Sequence, residues 1–119
     1  MKIKIEGDLP DLNSYINTER RNRFMAAKVK KNATELVMLQ SLKYKGKLTE
    51  FPVDLVFEWH CSSKRGHHLD HDNKSFAKKF ILDGFVKAGV LPDDNPKYVG
   101  DFTDVFIDDT TNHVIVTLV

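Results

Sequence analysis

Between residues 73 and 88 the apolar side chains recur at helical spacing. Phe76, Ala77, Phe80, Ile81, Gly84, Phe85 and Ala88 make one continuous stripe at i, i+4, i+8 steps, which predicts an amphipathic helix with its apolar side on a core. Gly89 follows as a left-handed C-terminal cap, and Pro92 stands just beyond. Upstream, residues 51–60 keep a different period. Phe51, Val53, Leu55, Phe57 and Trp59 fall on one side of the chain, and Asp54, Glu58 and His60 on the other. That alternation predicts a half-buried strand.

The remaining segments fill in an α/β (α+β) domain. Residues 2–6 read as a short strand with Ile3 and Ile5 on one face, ended by Gly7-Asp8-Leu9-Pro10. Residues 11–22 read as a polar connection, rich in amides and leading into Arg20, Arg21 and Arg23. Over residues 24–42, Met25, Val29, Ala33, Leu36 and Val37 predict a second helix, with Lys28, Lys30 and Lys31 largely off its apolar stripe. Asn32-Ala33-Thr34-Glu35 has capping-box spacing and leaves open a break near Asn32. Residues 43–49 are a turn around Gly46, and residues 61–69 and 90–98 are loops. Residues 102–107 and 113–119 are two strands that pair as a hairpin through residues 108–112. The expected whole is a small mixed β-sheet covered by two main helices, in a single domain of residues 1–119.

Composition narrows the function classes. The chain has 119 residues, 29% of them charged, a balance ordinary for a globular domain, and its core is modest enough that a partner subunit is commonly needed. No run approaches the ~18 apolar residues of a membrane span. Met1-Lys2-Ile3-Lys4-Ile5 alternates like a strand and unlike a signal peptide. One cysteine, Cys61, cannot form an intrachain disulfide, which fits a reducing cytoplasm. The net charge of +1 hides an asymmetry: residues 1–47 hold eleven Lys/Arg against five Asp/Glu, and residues 48–119 hold seven against twelve. A basic first part beside an acidic second part suits a backbone-binding surface and a metal site drawn from different segments; solvated helix faces are the plainer explanation.

The acidic residues are arranged for chemistry. Asp70-His71-Asp72-Asn73 precedes the Phe-striped helix, and Asp93-Asp94 follows it. Magnesium takes one or two protein carboxylates and fills its octahedron with water and phosphate oxygens. Asp70 and Asp72 project to one side of an extended chain, and Asp94 returns to the same place if helix and loop fold back together. A cation held there would polarise a phosphoryl oxygen and supply hydroxide for in-line attack. Lys79, two turns beyond Asp72, would offset charge on the phosphate. A purely structural reading stands beside this one, because Asp-x-Asp-Asn is also good N-cap chemistry and Asp-Asp good turn chemistry. An EF-hand is excluded: counting from Asp70, Ser75 stands where glycine is required and Ile81 where the bidentate glutamate belongs. His60, Cys61, His67, His68 and His71 offer zinc-type donors, at a spacing that matches no standard finger. Tyr15 and Phe24 are aromatic candidates for nucleic-acid contact, whereas Phe76, Phe80 and Phe85 read first as core and second as a base-unstacking wedge.

Taken together, Asp70-x-Asp72-Asn73, the run from Lys79 to Val90 and Asp93-Asp94 resemble the RusA family of Holliday junction resolvases. Leu9-Pro10-x-Leu12-Asn13-x-Tyr15-Ile16 and the arginine/lysine segment after it look like that family's N-terminal part. The resemblance implies a RusA-like, homodimeric endonuclease of the bacterial or phage-infected cytoplasm. Such an enzyme uses Mg²⁺, with Mn²⁺ able to substitute, and cuts four-way DNA junctions by paired nicks. It implies neither a membrane nor a small-molecule substrate. By residue, Asp70, Asp72 and Asp94 match the metal-binding aspartates, and Lys79 matches the catalytic lysine. The basic stretch supplies DNA contacts from Asn13, Tyr15, Arg20, Arg21, Arg23, Lys28, Lys30 and Lys31. This chain carries about one extra helical turn between the Asp-Asn pair and the lysine, so Lys74 and Lys78 are rivals for its role. The family's wedge phenylalanine falls at Leu82. Two other function classes stay in view: a DNA-binding module whose acidic cluster is structural, and a zinc-dependent interaction domain.

Overall fold

A computed structural model describes residues 1–61 and 74–119. Its elements run β1 (Lys2–Glu6), α1 (Leu12–Arg21), α2 (Arg23–Ser41), a 3-10 turn (Leu42–Tyr44), β2 (Val53–Cys61), α3 (Lys78–Ala88), β3 (Val99–Asp108) and β4 (His113–Leu118). Among the described residues, four strands form one mixed sheet in the order β1-β4-β2-β3, with three helices. The α+β class follows the sequence; the strand order does not. β4 lies antiparallel between β1 and β2, and β3 pairs parallel with β2 on its other side.

Alternation decides which side of each strand is buried. Val53, Leu55, Phe57 and Trp59 of β2, Ile3 and Ile5 of β1, and Val114, Val116 and Leu118 of β4 are all buried, in one core with Phe80, Ile81 and Phe85 of α3. The expected hairpin between residues 102–107 and 113–119 is therefore corrected. β3 is exposed along most of its length, whereas β4 alternates buried and half-buried. The strand with more apolar surface takes the central position, where it gains two partners, and β3 takes the edge. The connection from Asp108 to His113 crosses the end of β2, where the Asp109 N–H donates to the Cys61 carbonyl (2.9 Å).

Residues 11–22, expected as a connection, contain a helix. Asp11 caps α1 by accepting from the Ser14 amide (2.9 Å) and the Ser14 hydroxyl (3.0 Å). Leu12, Tyr15 and Ile16 share a face at i, i+3, i+4 and are half-buried, with the Tyr15 ring 5.5 Å from Phe76 and 6.0 Å from Phe80. α2 starts at a second cap, Asn22, whose side chain accepts from the amides of Phe24 (2.9 Å) and Met25 (3.4 Å), and it runs unbroken through Asn32. Its buried residues are Ala26, Ala33, Thr34, Val37 and Ser41, so the stripe is narrower and smaller-sided than the sequence suggested; Met25 lies outside it, 49% exposed.

Small side chains let α2 and α3 approach closely. A Cβ added at Gly84 would lie 2.5 Å from Val37 Cγ1 and 3.1 Å from the Thr34 carbonyl oxygen. Gly84 is thus the contact residue that sets the distance between the two helices. The expected helix is interrupted: Lys74 and Ser75 are helical, Phe76 and Ala77 form a turn in which the Ala77 amide donates to the Lys74 carbonyl (3.3 Å), and α3 runs from Lys78. The expected start at residue 73 lies outside the described residues. The C-terminal end is as expected. Gly89 adopts φ 79°, its amide donates to Val86, and the Val90 amide donates to Phe85, a Schellman-type closure.

Candidate functional site

Two sequence segments meet where α2 crosses α3. Lys30, Lys31 and Thr34 of α2, Asp83, Val86 and Lys87 of α3, and Asp93 and Asp94 of the following loop line one open cavity. Each contributor follows from local rules. Asp83 and Lys87 are one turn apart on α3, and Val86 lies between them, so all three face α2 together. The Schellman closure at Gly89 turns the chain back and brings Asp93 and Asp94 to the same wall. Lys30 and Lys31 sit off the buried stripe of α2, as their spacing indicated, and they line the cavity from the other side.

The two loop aspartates have different tasks. Asp93 spends both carboxylate oxygens within its own turn, accepting from the Asp94 amide (2.8 Å) and from Asn95 Nδ2 (3.1 Å). Asp94 is exposed and keeps its carboxylate out of that turn. It lines the same cavity as Asp83 and the lysines Lys30, Lys31 and Lys87, and carboxylate oxygens are the donor type Mg²⁺ accepts. Of the three expected magnesium ligands, Asp94 is the one among the described residues. Asp70 and Asp72, the other two expected ligands, lie outside the described residues, as do His67, His68 and His71.

Of the three lysines that compete for one role, Lys78 is committed elsewhere. Lys78 Nζ donates to Asp104 Oδ2 (2.8 Å) and lies 5.1 Å from the ring centres of both Phe57 and Phe102. Asp104 is held in turn by the Trp59 indole, whose Nε1 donates to Oδ1 (2.9 Å). Lys74 is buried. Lys79 is exposed, one turn before Asp83 on the stripe that leads to the cavity.

The remaining DNA-contact candidates divide. Asn13, Arg20, Arg21, Arg23 and Lys28 are exposed on α1 and the first turns of α2. Tyr15 is half-buried against Phe76 and Phe80, and its ring belongs to the packing between α1 and the α3 region. Phe24, by contrast, is 87% exposed. Phe80 and Phe85 are buried in the core and Leu82 is half-buried, which leaves none of the three as an exposed wedge.

A second cluster of polar side chains, centred on His60, was only half legible. Register pairs His60 of β2 with His113 of β4, and their rings stack 4.2 Å apart at 14°. The connection across the end of β2 adds Asp109, whose Oδ2 is 2.9 Å from His60 Nδ1 and 3.9 Å from His113 Nε2. Asp109 is held below the usual carboxylate range, first by the Thr110 amide donating to its Oδ1 and then by His60. An ionised carboxylate only accepts, so the shared proton sits on His60 Nδ1. His113 is shifted below the ordinary imidazole value, chiefly by burial and then by the nearby His60 and Lys4. The sequence singled out His60 with Cys61; Cys61 is a half-buried free thiol outside this cluster. Asp109 and His113 were missed because a β3–β4 hairpin would have placed them far from β2. Their signal was the period-two position of His113, on the face opposite Val114 and Val116.

Compared with models of known protein families and with curated proteins, the chain finds no match. Among the described residues, no helix is long and apolar enough to cross a membrane.

Proposed function

We propose that this chain is a RusA-like, Mg²⁺-dependent endodeoxyribonuclease that cuts four-way DNA junctions. One observation carries the reading beyond the sequence: Asp94 shares a cavity with Asp83 and with Lys30, Lys31 and Lys87. Carboxylates that bind a hard cation and ammonium groups that bind phosphate are both needed for phosphodiester hydrolysis, and both are present in this cavity. Asp94, with Asp70 and Asp72, would hold the ion. When bound, it would polarise a phosphoryl oxygen and acidify a water.

The chain's own residues do the rest. Arg20, Arg21, Arg23 and Lys28 fix the DNA backbone along α1 and the start of α2, a sequence-independent task suited to branched substrates. Lys30 and Lys31 lead the strand toward the carboxylates. The Lys79 ammonium offsets charge that builds on the phosphate as the bond breaks, a role for which its exposure suits it and the ion pair of Lys78 does not. Resolving a junction takes two symmetric cuts, so the working unit is a homodimer with two equivalent sites. Phe102 and Val105 on β3, 43% and 41% exposed, are apolar surface that a second copy can cover.

The test is a labelled synthetic junction, with linear duplex and flap controls, plus and minus Mg²⁺. Paired nicks in the junction alone, dependent on Mg²⁺, are expected. Asp94→Asn should retain binding and lose cleavage. Tight junction binding without cleavage in any divalent ion would reduce the protein to a DNA-binding module.

A further inference from the structure

The cluster around His60 lies apart from the cavity, on the sheet face opposite the buried Trp59 and Phe57, and the proposed nuclease chemistry makes no use of it. We propose that His60, Asp109 and His113 bind one divalent transition ion, with Zn²⁺ the expected occupant. Two imidazoles and one carboxylate are a donor set that zinc accepts readily and magnesium does not. Each residue offers one ligand atom, and all three atoms lie within 4.8 Å of one another.

The distances are near those a metal needs. A tetrahedral ion with bonds of about 2.0–2.1 Å holds its ligand atoms about 3.3–3.4 Å apart. Asp109 Oδ2 is 2.9 Å from His60 Nδ1 and 3.9 Å from His113 Nε2. One gap has to widen and the other to close, each by roughly half an ångström on the metal–ligand geometry just given. The stacked rings must also open, since lone pairs in nearly parallel planes do not converge. Rotation about the soft ring torsion of His113 provides that movement. The backbone meanwhile is fixed by the His60–His113 register and by the Asp109–Cys61 hydrogen bond.

An otherwise odd feature points to the ion. His60 Nε2 is buried without a hydrogen-bond partner, and Glu58 Oε1 waits 3.6 Å away. In the metal-free tautomer the ring proton is on Nδ1, shared with Asp109, so Nε2 has nothing to donate to Glu58. A metal on Nδ1 displaces that proton and requires one on Nε2, where it faces the glutamate. His113 is prepared in the same way. A metal on its Nε2 leaves Nδ1 protonated, 3.1 Å from Thr111 Oγ1. Each metal-bound histidine would thus have an oxygen acceptor for its second nitrogen, the usual arrangement around bound zinc.

The experiment uses the full chain stripped with a chelator. Zn²⁺ is titrated by calorimetry, and Co²⁺ by its visible absorption, which is intense for a four-coordinate ion. One ion per chain is expected, displacing Co²⁺ when Zn²⁺ is added. Imidazole nitrogen NMR should show the His60 proton move from Nδ1 to Nε2 on zinc addition. Glu58→Gln should weaken zinc about 10–100-fold, and His113→Ala by more. Near-ultraviolet dichroism of Trp59 verifies that each variant is folded, and His113→Asn stands in if His113→Ala is not. Asp94→Asn should leave zinc binding unchanged, so this site and the nuclease reading fail separately. Zinc binding that survives in His60→Ala/His113→Ala, or is lost instead in His67→Ala/His68→Ala/His71→Ala, overturns the proposal. So does a His60 tautomer indifferent to zinc.

Discussion

Gly84→Ala should be markedly destabilising although alanine is the better helix former. The added methyl would lie 2.5 Å from Val37 Cγ1, 2.6 Å from Val37 Cβ and 3.1 Å from the Thr34 carbonyl oxygen. Carbon atoms in ordinary contact stand about 3.5–4.0 Å apart, so the overlap is about an ångström. Neither Val37 Cβ nor a helix carbonyl can swing aside, and overpacking of this kind costs about 1–3 kcal/mol. Alanine in place of glycine within a helix returns up to about 1 kcal/mol. The net expectation is a loss of about 1–2 kcal/mol, or a fall in Tm of roughly 4–8 °C for a domain of this size. Urea unfolding followed by Trp59 fluorescence, with a thermal scan, measures it. Val37→Ala in the same chain removes Cγ1, so the double variant should lose less than the two single losses combined, with a coupling of about 1 kcal/mol. Junction cleavage by Gly84→Ala should fall more than its binding, because α2 and α3 together shape the cavity. A variant as stable as the parent, or more so, would refute the close helix contact.

Asp104→Ala leaves the buried Trp59 indole N–H without its acceptor and should cost about 1–3 kcal/mol in urea unfolding. Lys78→Ala, which removes only the outer partner of Asp104, should cost less and leave junction cleavage largely intact, while Lys79→Ala abolishes it. Stability of the chelator-treated protein should fall with acid in two stages. The depressed His113 value contributes stability above pH 6.5 that is lost as the pH drops through the folded value; Asp109 does the same below 3.8. Thermal scans across pH 3–8 check this, and His113→Asn should abolish the upper stage only. Arg20→Ala/Arg21→Ala/Arg23→Ala should weaken junction binding and flatten its log–log salt dependence by up to about 3, given a slope of about 0.9 per phosphate contact; an unchanged slope places the DNA elsewhere.

How much of this was legible depends on whether a signal is local. The helix at residues 24–42, the strand at 51–60 and the C-terminal end of the helix at 73–88 emerged within a few residues of their bounds, because burial is periodic there; the turn at Phe76 and Ala77 did not, since both residues keep the apolar stripe. α1 went unread because Asn13, Ser14, Asn17 and Thr18 are poor helix formers and no α1 residue is fully buried. Its local evidence was the Asp11 cap and the spacing of Leu12, Tyr15 and Ile16. The β3–β4 hairpin failed for a different reason. Two strands separated by five residues look adjacent, and only a comparison of their apolar content, Val114, Val116 and Leu118 against a mostly exposed β3, shows which belongs inside the sheet. Asp94 and Lys79 enter the proposed site through a sequence motif, whereas Asp109 and His113 come together only through the register of β4 with β2.

The charge asymmetry of the sequence acquires a local explanation in the cavity. Lys30 and Lys31 come from the basic first part; Asp83, Lys87, Asp93 and Asp94 come from the acidic second part. Counted by formal charge the three lysines and three aspartates cancel, so the cavity by itself gives a polyanion no net attraction. On the proposed reading a divalent cation held by Asp94 makes that balance positive, and a DNA phosphate is then drawn to a site that contains carboxylates. Asp93 keeps its charge but has both oxygens engaged by its own turn, accepting from the Asp94 amide and from Asn95. On the same reading Asp93→Asn is the milder of the two loop substitutions, costing turn geometry, where Asp94→Asn costs cation binding.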